Sequence, residues 1–137
     1  MTKWKVLFST LLILMLSVTC FAEPDLKEIS SAEGLFAHIA IDVNSITAKS
    51  FNGDDIVEFI VDDLDNYDNT RNMQMTIVWV DRQNNTAMYR AQSLMMGGKK
   101  QFTNVYDPMY KSSWSYIEDK PYASYGYQYI VDNGLLP

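Results

Sequence analysis

The sequence predicts an α+β domain: an antiparallel β-sheet of five to seven short strands with a C-terminal helix packed on one face. Three patterns predict it. From residue 35 to residue 117, apolar residues recur largely with period two, as in strands that bury one side. Turn residues punctuate that stretch, among them Asn52-Gly53, the strongest short hairpin signal because both positions tolerate positive φ. After Pro121 the period changes. Ser124, Gln128 and Asp132 recur every fourth residue, which sets them on one face of a helix.

The chain opens with the three parts of a secretory leader. Lys3 and Lys5 supply a basic start, and "VLFSTLLILMLSV" an apolar run of 13 residues. A membrane span needs about 20 residues. Cleavage after Ala22 puts Cys20 and Ala22 at the −3 and −1 positions, a "C-F-A" site, and discards the one cysteine of the chain. The competing route would attach lipid to Cys20, but Thr19 before it and Ser17 three before it make a poor lipobox. Residues 1–22 are therefore assigned as a signal peptide, 23–34 as a flexible segment or a short helical turn, and 35–137 as a single domain. The mature chain of 115 residues has no thiol, so its core must stabilise it without disulfides. Losing Lys3 and Lys5 moves the net charge from −6 to −8. That acidity disfavours nucleic acid and anionic lipid headgroups, and no membrane insertion is expected once the leader is gone.

The strands follow in order. "LFAHIAID" (35–42) is apolar, and "NSITAKS" (44–50) follows a tight break. "IVEFIVDD" (56–63) sets Val57, Phe59 and Val61 on one face and Glu58 on the other. "MQMTIVWVD" (73–81) carries Ile77 and Trp79 on one side and Val78 and Val80 on the other, a central strand covered twice. "RQNN" turns the chain into "TAMYRAQSLMM" (86–96), "GGKK" turns it into "QFTNVYD" (101–107), and Pro108 breaks the pairing. "SSWSYI" (112–117) is one more short strand. Tyr125, Tyr127 and Tyr129 alternate as in a strand, but Pro121 suits a first helical turn and Gly134 a stop, so the segment is assigned as helix.

Several quoted stretches carry a likeness. "AIDVNSI" (40–46) runs from an early strand into an acidic residue followed by Ser-Ile. "MYRAQSL" (88–94) follows a hairpin, and "SSWSYIEDKPYASYGYQYIV" (112–131) sets a Trp, an aliphatic residue, a proline break and a final helix in order. In this order of parts the chain, from about residue 35 to 134, resembles the surface-adhesin protein E family of bacterial exported proteins. The resemblance implies an antiparallel sheet with a C-terminal helix against one face, in an exported protein of the adhesin type. Many members tie helix to sheet with cysteines, which the mature chain lacks, and Leu35-Phe36 stands where the first strand usually starts with Trp. No motif here carries a member's matrix-binding activity over to particular residues.

Candidates for chemistry are few. His38 is the sole histidine and sits in an apolar strand with no cysteine or second histidine to join it, as a structural or edge-of-sheet residue would. "DDLDNYDN" (62–69) offers Asp63, Asp65 and Asp68 as hard ligands for Ca²⁺, but Tyr67 and Gln74 break the EF-hand pattern, and a solvated acidic loop is the plainer reading. Glu58 and Asp42 form a carboxylate pair only if the fold brings them together. "GGKK" with Arg90 makes a small basic spot, as a solvated turn does. The tyrosines stand out. Tyr110, Trp114, Tyr116, Tyr122, Tyr125 and Tyr129 crowd the last third, either as filling between sheet and helix or as a binding patch for a protein, a glycan or a second copy of the chain.

The expectation is thus an exported, non-catalytic binding protein, adhesin-like, at the periplasm or cell surface, without catalytic, cofactor-binding or metal residues. It is expected to be a monomer or weak homodimer. A soluble periplasmic domain with a structural or stress-related role and no external ligand is the alternative, and a small hydrolase a distant third.

Overall fold

The computed structural model describes residues 24–29, 38–63, 73–96 and 99–137, with backbone alone at residues 73, 94–96 and 99–103. Among them seven strands form one antiparallel sheet. These are β1 (Leu26–Glu28), β2 (Ile39–Phe51), β3 (Asp54–Asp63), β4 (Met73–Asp81), β5 (Thr86–Met96), β6 (Lys99–Val105) and β7 (Ser115–Tyr116). Strands β1 to β6 lie side by side in chain order, and β7 pairs with the start of β5. The helix α1 (Pro121–Asp132) packs against the sheet, so the fold is the α+β arrangement expected.

Tight turns explain the meander. Asn52 and Gly53 take φ of 50° and 81°, the paired positive values of a two-residue hairpin that matches strand twist. The 82–85 turn ends on Asn85 at φ 54°. Strand β3 pairs with β4 without a break from Ile56↔Asp81 to Asp63↔Gln74. Val57, Phe59, Val61, Val78 and Val80 therefore share one face, and they are buried.

Three expectations are corrected. Within the segment 23–34, expected as flexible or as a helical turn, Leu26, Lys27 and Glu28 instead form β1 and pair with Asp42, Ile41 and Ala40, while residues 23 and 30–34 lie outside the described residues. The two strands expected on either side of residue 43 are one strand, β2, with a bulge: Asp42 faces Ile60, yet Thr47 already faces Glu58. Ser45 bridges the gap, donating to the Asp42 carbonyl at 2.6 Å and accepting the Ile60 N–H at 2.7 Å. The strand expected over 112–117 shrinks to β7, between single 3₁₀ turns at Lys111–Ser113 and Ile117–Asp119. Pairing with β6 uses β5 only from Ala91 onward, and β7 meets Thr86 and Ala87 at its other end. The leader with Cys20 and Ala22, and most of the acidic loop with Asp65 and Asp68, lie outside the described residues.

The core sits between one sheet face and α1. Ile39, Ile41, Val57, Phe59, Val61, Val78, Val80 and Ala87 meet Ala123 and Ile130. Gly126 is the point of closest approach, since a Cβ there would lie 2.4 Å from the Phe59 ring. Pro121 opens the helix, and Gly134, at φ 64°, closes it while Leu135 N–H donates to the Ile130 carbonyl at 2.9 Å.

Candidate functional site

Because α1 covers the Phe59 face, the alternate residues of each strand point to the other side of the sheet. There the hairpin end carries a polar and aromatic ladder. Lys49 on β2 pairs with Glu58 on β3 at 3.5 Å. Trp79 on β4 donates its indole N–H to Glu58 Oε2 at 2.6 Å. The Arg90 guanidinium of β5 lies 5.3 Å from the Trp79 ring and also donates to the Tyr106 carbonyl. Phe51 joins this ladder to a second wall, with its ring 5.8 Å from Trp79 and stacked 6.3 Å from Trp114 at 24°.

A groove of about 510 Å³ opens between these aromatics and the hairpin turns. Phe51, Trp114, Pro108 and Met109 supply its apolar lining, and Asp54, Asp81, Asn52, Asn84, Thr86 and Lys111 its polar lining. Asp81 is 5% exposed and fixed by its own turn, with Oδ1 accepting the N–H groups of Gln83 at 3.0 Å and Asn84 at 3.2 Å. The Asn84 side chain then bridges two acids, donating to Asp81 at 2.8 Å and Asp54 at 3.0 Å. The Asp54 carboxyl is raised above its ordinary range, first by hydrogen bonding with Asp81 and also by that neighbour's charge, while Asn84 pulls it back.

One rim of the groove is the segment 105–116. Among the described residues eight large apolar side chains are exposed, and five of them, Val105, Tyr106, Met109, Tyr110 and Tyr116, fall here. Met109 is 67% exposed, Tyr110 66% and Tyr116 61%. The segment is nevertheless pinned. Trp114 donates its indole N–H to the Pro108 carbonyl at 2.8 Å, Ser113 its hydroxyl to the Asp107 carbonyl at 2.9 Å, and Tyr106 its N–H to the Arg90 carbonyl at 3.0 Å. Beside it a smaller cavity of about 230 Å³ holds Lys120, whose ammonium sits 4.5 Å from the Tyr89 ring centre and whose pKa is lowered by burial.

The structure divides the tyrosine patch read from sequence. Tyr110 and Tyr116 are exposed on the rim and Trp114 lines the groove. Tyr122, Tyr125 and Tyr129 instead pack against the core from α1. Tyr122 donates its hydroxyl to Asp63 and receives support from Tyr89, whose hydroxyl accepts the Tyr122 N–H at 3.2 Å. Burial raises the Tyr89 hydroxyl to about 12, so it stays protonated.

The remaining candidates fall apart in space. His38 is exposed at the start of β2, with Nδ1 3.6 Å from Glu28 of β1. Glu58 belongs to the ladder, whereas Asp42 accepts the N–H groups of Asp25 at 3.0 Å and Asn44 at 3.1 Å. Among the described residues no three His, Cys, Asp or Glu side chains gather as a metal site would require. No helix among them is long and apolar enough to cross a membrane. Sequence reading missed Phe51, Asp54, Asp81 and Asn84. The available signal was the pair of turns themselves, since "FNGD" and "DRQNN" place acids and amides at adjacent loop tips of neighbouring hairpins.

Comparison with family models, with curated proteins and with solved structures finds no match.

Proposed function

We propose that this chain is an exported, non-catalytic binding protein that uses the 105–116 rim and the adjoining groove as its contact surface. One observation carries the reading. Exposed apolar side chains that add little to the fold are concentrated on one short segment, and hydrogen bonds pin that segment in place. A preorganised aromatic surface loses little entropy on binding, which is what tyrosine-rich contact surfaces exploit. The leader supports export, and the resemblance to surface-adhesin protein E supports a role in the bacterial envelope or at the cell surface.

The test is capture of envelope and matrix proteins from a defined panel by the exported protein, beside a variant with Met109→Ser, Tyr110→Ser and Tyr116→Ser. The expected result is a partner retained by the wild type at micromolar concentration and lost by the variant. A panel without any binder, or a partner that both proteins hold equally, would remove the rim from the proposal. Intact mass from fractionated cells checks the compartment: residues 23–137 alone fit cleavage after Ala22, and a chain beginning at an acylated Cys20 fits a tethered lipoprotein.

A further inference from the structure

We infer that the groove between Phe51, Trp114 and the two hairpin turns is a carbohydrate site, selective for neutral over anionic sugars. This rests on the reading of the chain as a binding protein and names the ligand class for its groove.

The inference comes from what each wall would do to a ligand. A sugar ring has an apolar C–H face and a rim of hydroxyls that both donate and accept. Phe51 and Trp114, which stack on each other and both line the groove, offer apolar aromatic surface for the first. For the second, Asp54 is an acceptor, and so is Asn84 Oδ1, because the Asn84 N–H groups are already committed to the two acids, while the nearly buried Asp81 backs them. Lys111 supplies a donor across the groove. The polar groups are fixed before any ligand arrives, since Asp81 is held by two backbone N–H groups and Asn84 by two carboxylates.

Charge narrows the class. Asp54 and Asp81 stand side by side, bridged by Asn84, so a phosphate, sulfate or uronic acid would bring a further negative charge against two acids. A wholly apolar ligand would strip water from the Asp54 carboxylate and return no hydrogen bond. A neutral sugar does neither. At about 510 Å³ the groove lies within the usual range of ligand sites, about 300–1,000 Å³, and can admit the end of a short oligosaccharide.

The experiment probes the exported protein with an array of immobilised neutral oligosaccharides built from hexoses and N-acetylhexosamines, beside sulfated and uronic-acid glycans. The strongest binder is then titrated in solution by tryptophan fluorescence, because Trp114 lines the groove and Trp79 touches Phe51. The expected result is binding of neutral glycans, no binding of the anionic set, and at least a tenfold weakening in Asn84→Ala and in Asp54→Asn with the melting temperature held. Lys111→Ala serves as a third, exposed variant should either of those fail to fold. Preference for the anionic glycans, or equal affinity in the groove variants, overturns the assignment. If no glycan binds while a protein partner is still held through Met109, Tyr110 and Tyr116, the carbohydrate site falls and the binding-protein reading stands. If neither binds, both fall.

Discussion

The two faces of the sheet solve opposite problems with the same strands. On the Phe59 face the centre is apolar and closely fitted, down to a helix glycine that leaves room for one ring, with polar contacts such as Tyr122 to Asp63 at its edge. On the other face Lys49, Glu58, Trp79, Arg90 and Phe51 form a polar ladder that runs into a groove and an exposed aromatic rim. The first face holds the fold together. The second keeps hydrogen-bonding groups fixed and leaves aromatic surface exposed. Substitutions that destabilise most should therefore lie on the helix face, and those that alter binding most should scarcely affect stability.

Phe59→Ala carries the largest expected effect. It empties the centre of the core beneath Gly126, at a cost of about 3–5 kcal/mol, read as a lower midpoint in urea unfolding. Gly126→Ala sharpens the point. In an exposed helix the change would add about 1 kcal/mol of stability through helix propensity. Here the new methyl meets a fully buried ring at 2.4 Å, and overpacking costs about 1–3 kcal/mol, so the net change is expected to be destabilising. A Gly126→Ala protein more stable than wild type would mean that α1 can move off the sheet freely.

This face was the legible one. Val57, Phe59 and Val61 alternate, the "NG" turn fixes the β2–β3 hairpin, and Pro121 and Gly134 bracket the helix, all through local rules that the packing obeys. The other face was not legible in the same way. Asp54 and Asp81 lie 27 positions apart and meet only because β3 and β4 stand in the register that sets Ile56 opposite Asp81. Phe51 and Trp114 stack only because the chain after β6 folds back to reach β5. Tyrosine composition pointed to the last third of the chain but could not separate Tyr110 and Tyr116, which face solvent, from Tyr122, Tyr125 and Tyr129, which pack under the helix.

A pH dependence distinguishes the faces further. Asp62 lies across from Ala40, on the side opposite Phe59, and is 4% exposed; its Oδ1 has no hydrogen-bond partner among the described residues. Burial, and then the charge of Asp42, raise it to about 6. The folded state therefore holds this proton more tightly than the unfolded chain, whose carboxyl titrates near 3.8. The resulting stabilisation is complete below pH 3.8 and is lost as pH rises through about 6. Asp62→Asn should raise stability at pH 7 by about 2 kcal/mol after allowance for solvent screening, and flatten the stability profile between those two pH values. Melting curves of both proteins across pH 4–7 check it; parallel profiles would show that Asp62 titrates normally.

Within the ladder the expected effects are smaller. Trp79→Phe keeps a ring beside Phe51 and Arg90 but removes the donor to Glu58, for about 1.5 kcal/mol. Lys49→Ala removes a partly exposed ion pair and should cost less than about 1 kcal/mol, less still at high salt. A double-mutant cycle between Trp79 and Glu58 measures the coupling, and a value near zero would mean that water satisfies Glu58 as well as the indole does.

The smallest expected stability change belongs to the rim. Met109, Tyr110 and Tyr116 expose most of their surface, so the fold gains little from their side chains and changing all three to serine should move the unfolding free energy by no more than about 0.5 kcal/mol. The hydrogen bonds that pin the segment come from Trp114, Ser113 and the backbone, and the substitution leaves them in place. The same triple variant is the one expected to abolish capture of a protein partner, so a large effect on binding should accompany a negligible one on stability. If the variant instead loses stability in step with binding, the rim is part of the fold's support. The two faces would then differ in polarity but not in purpose.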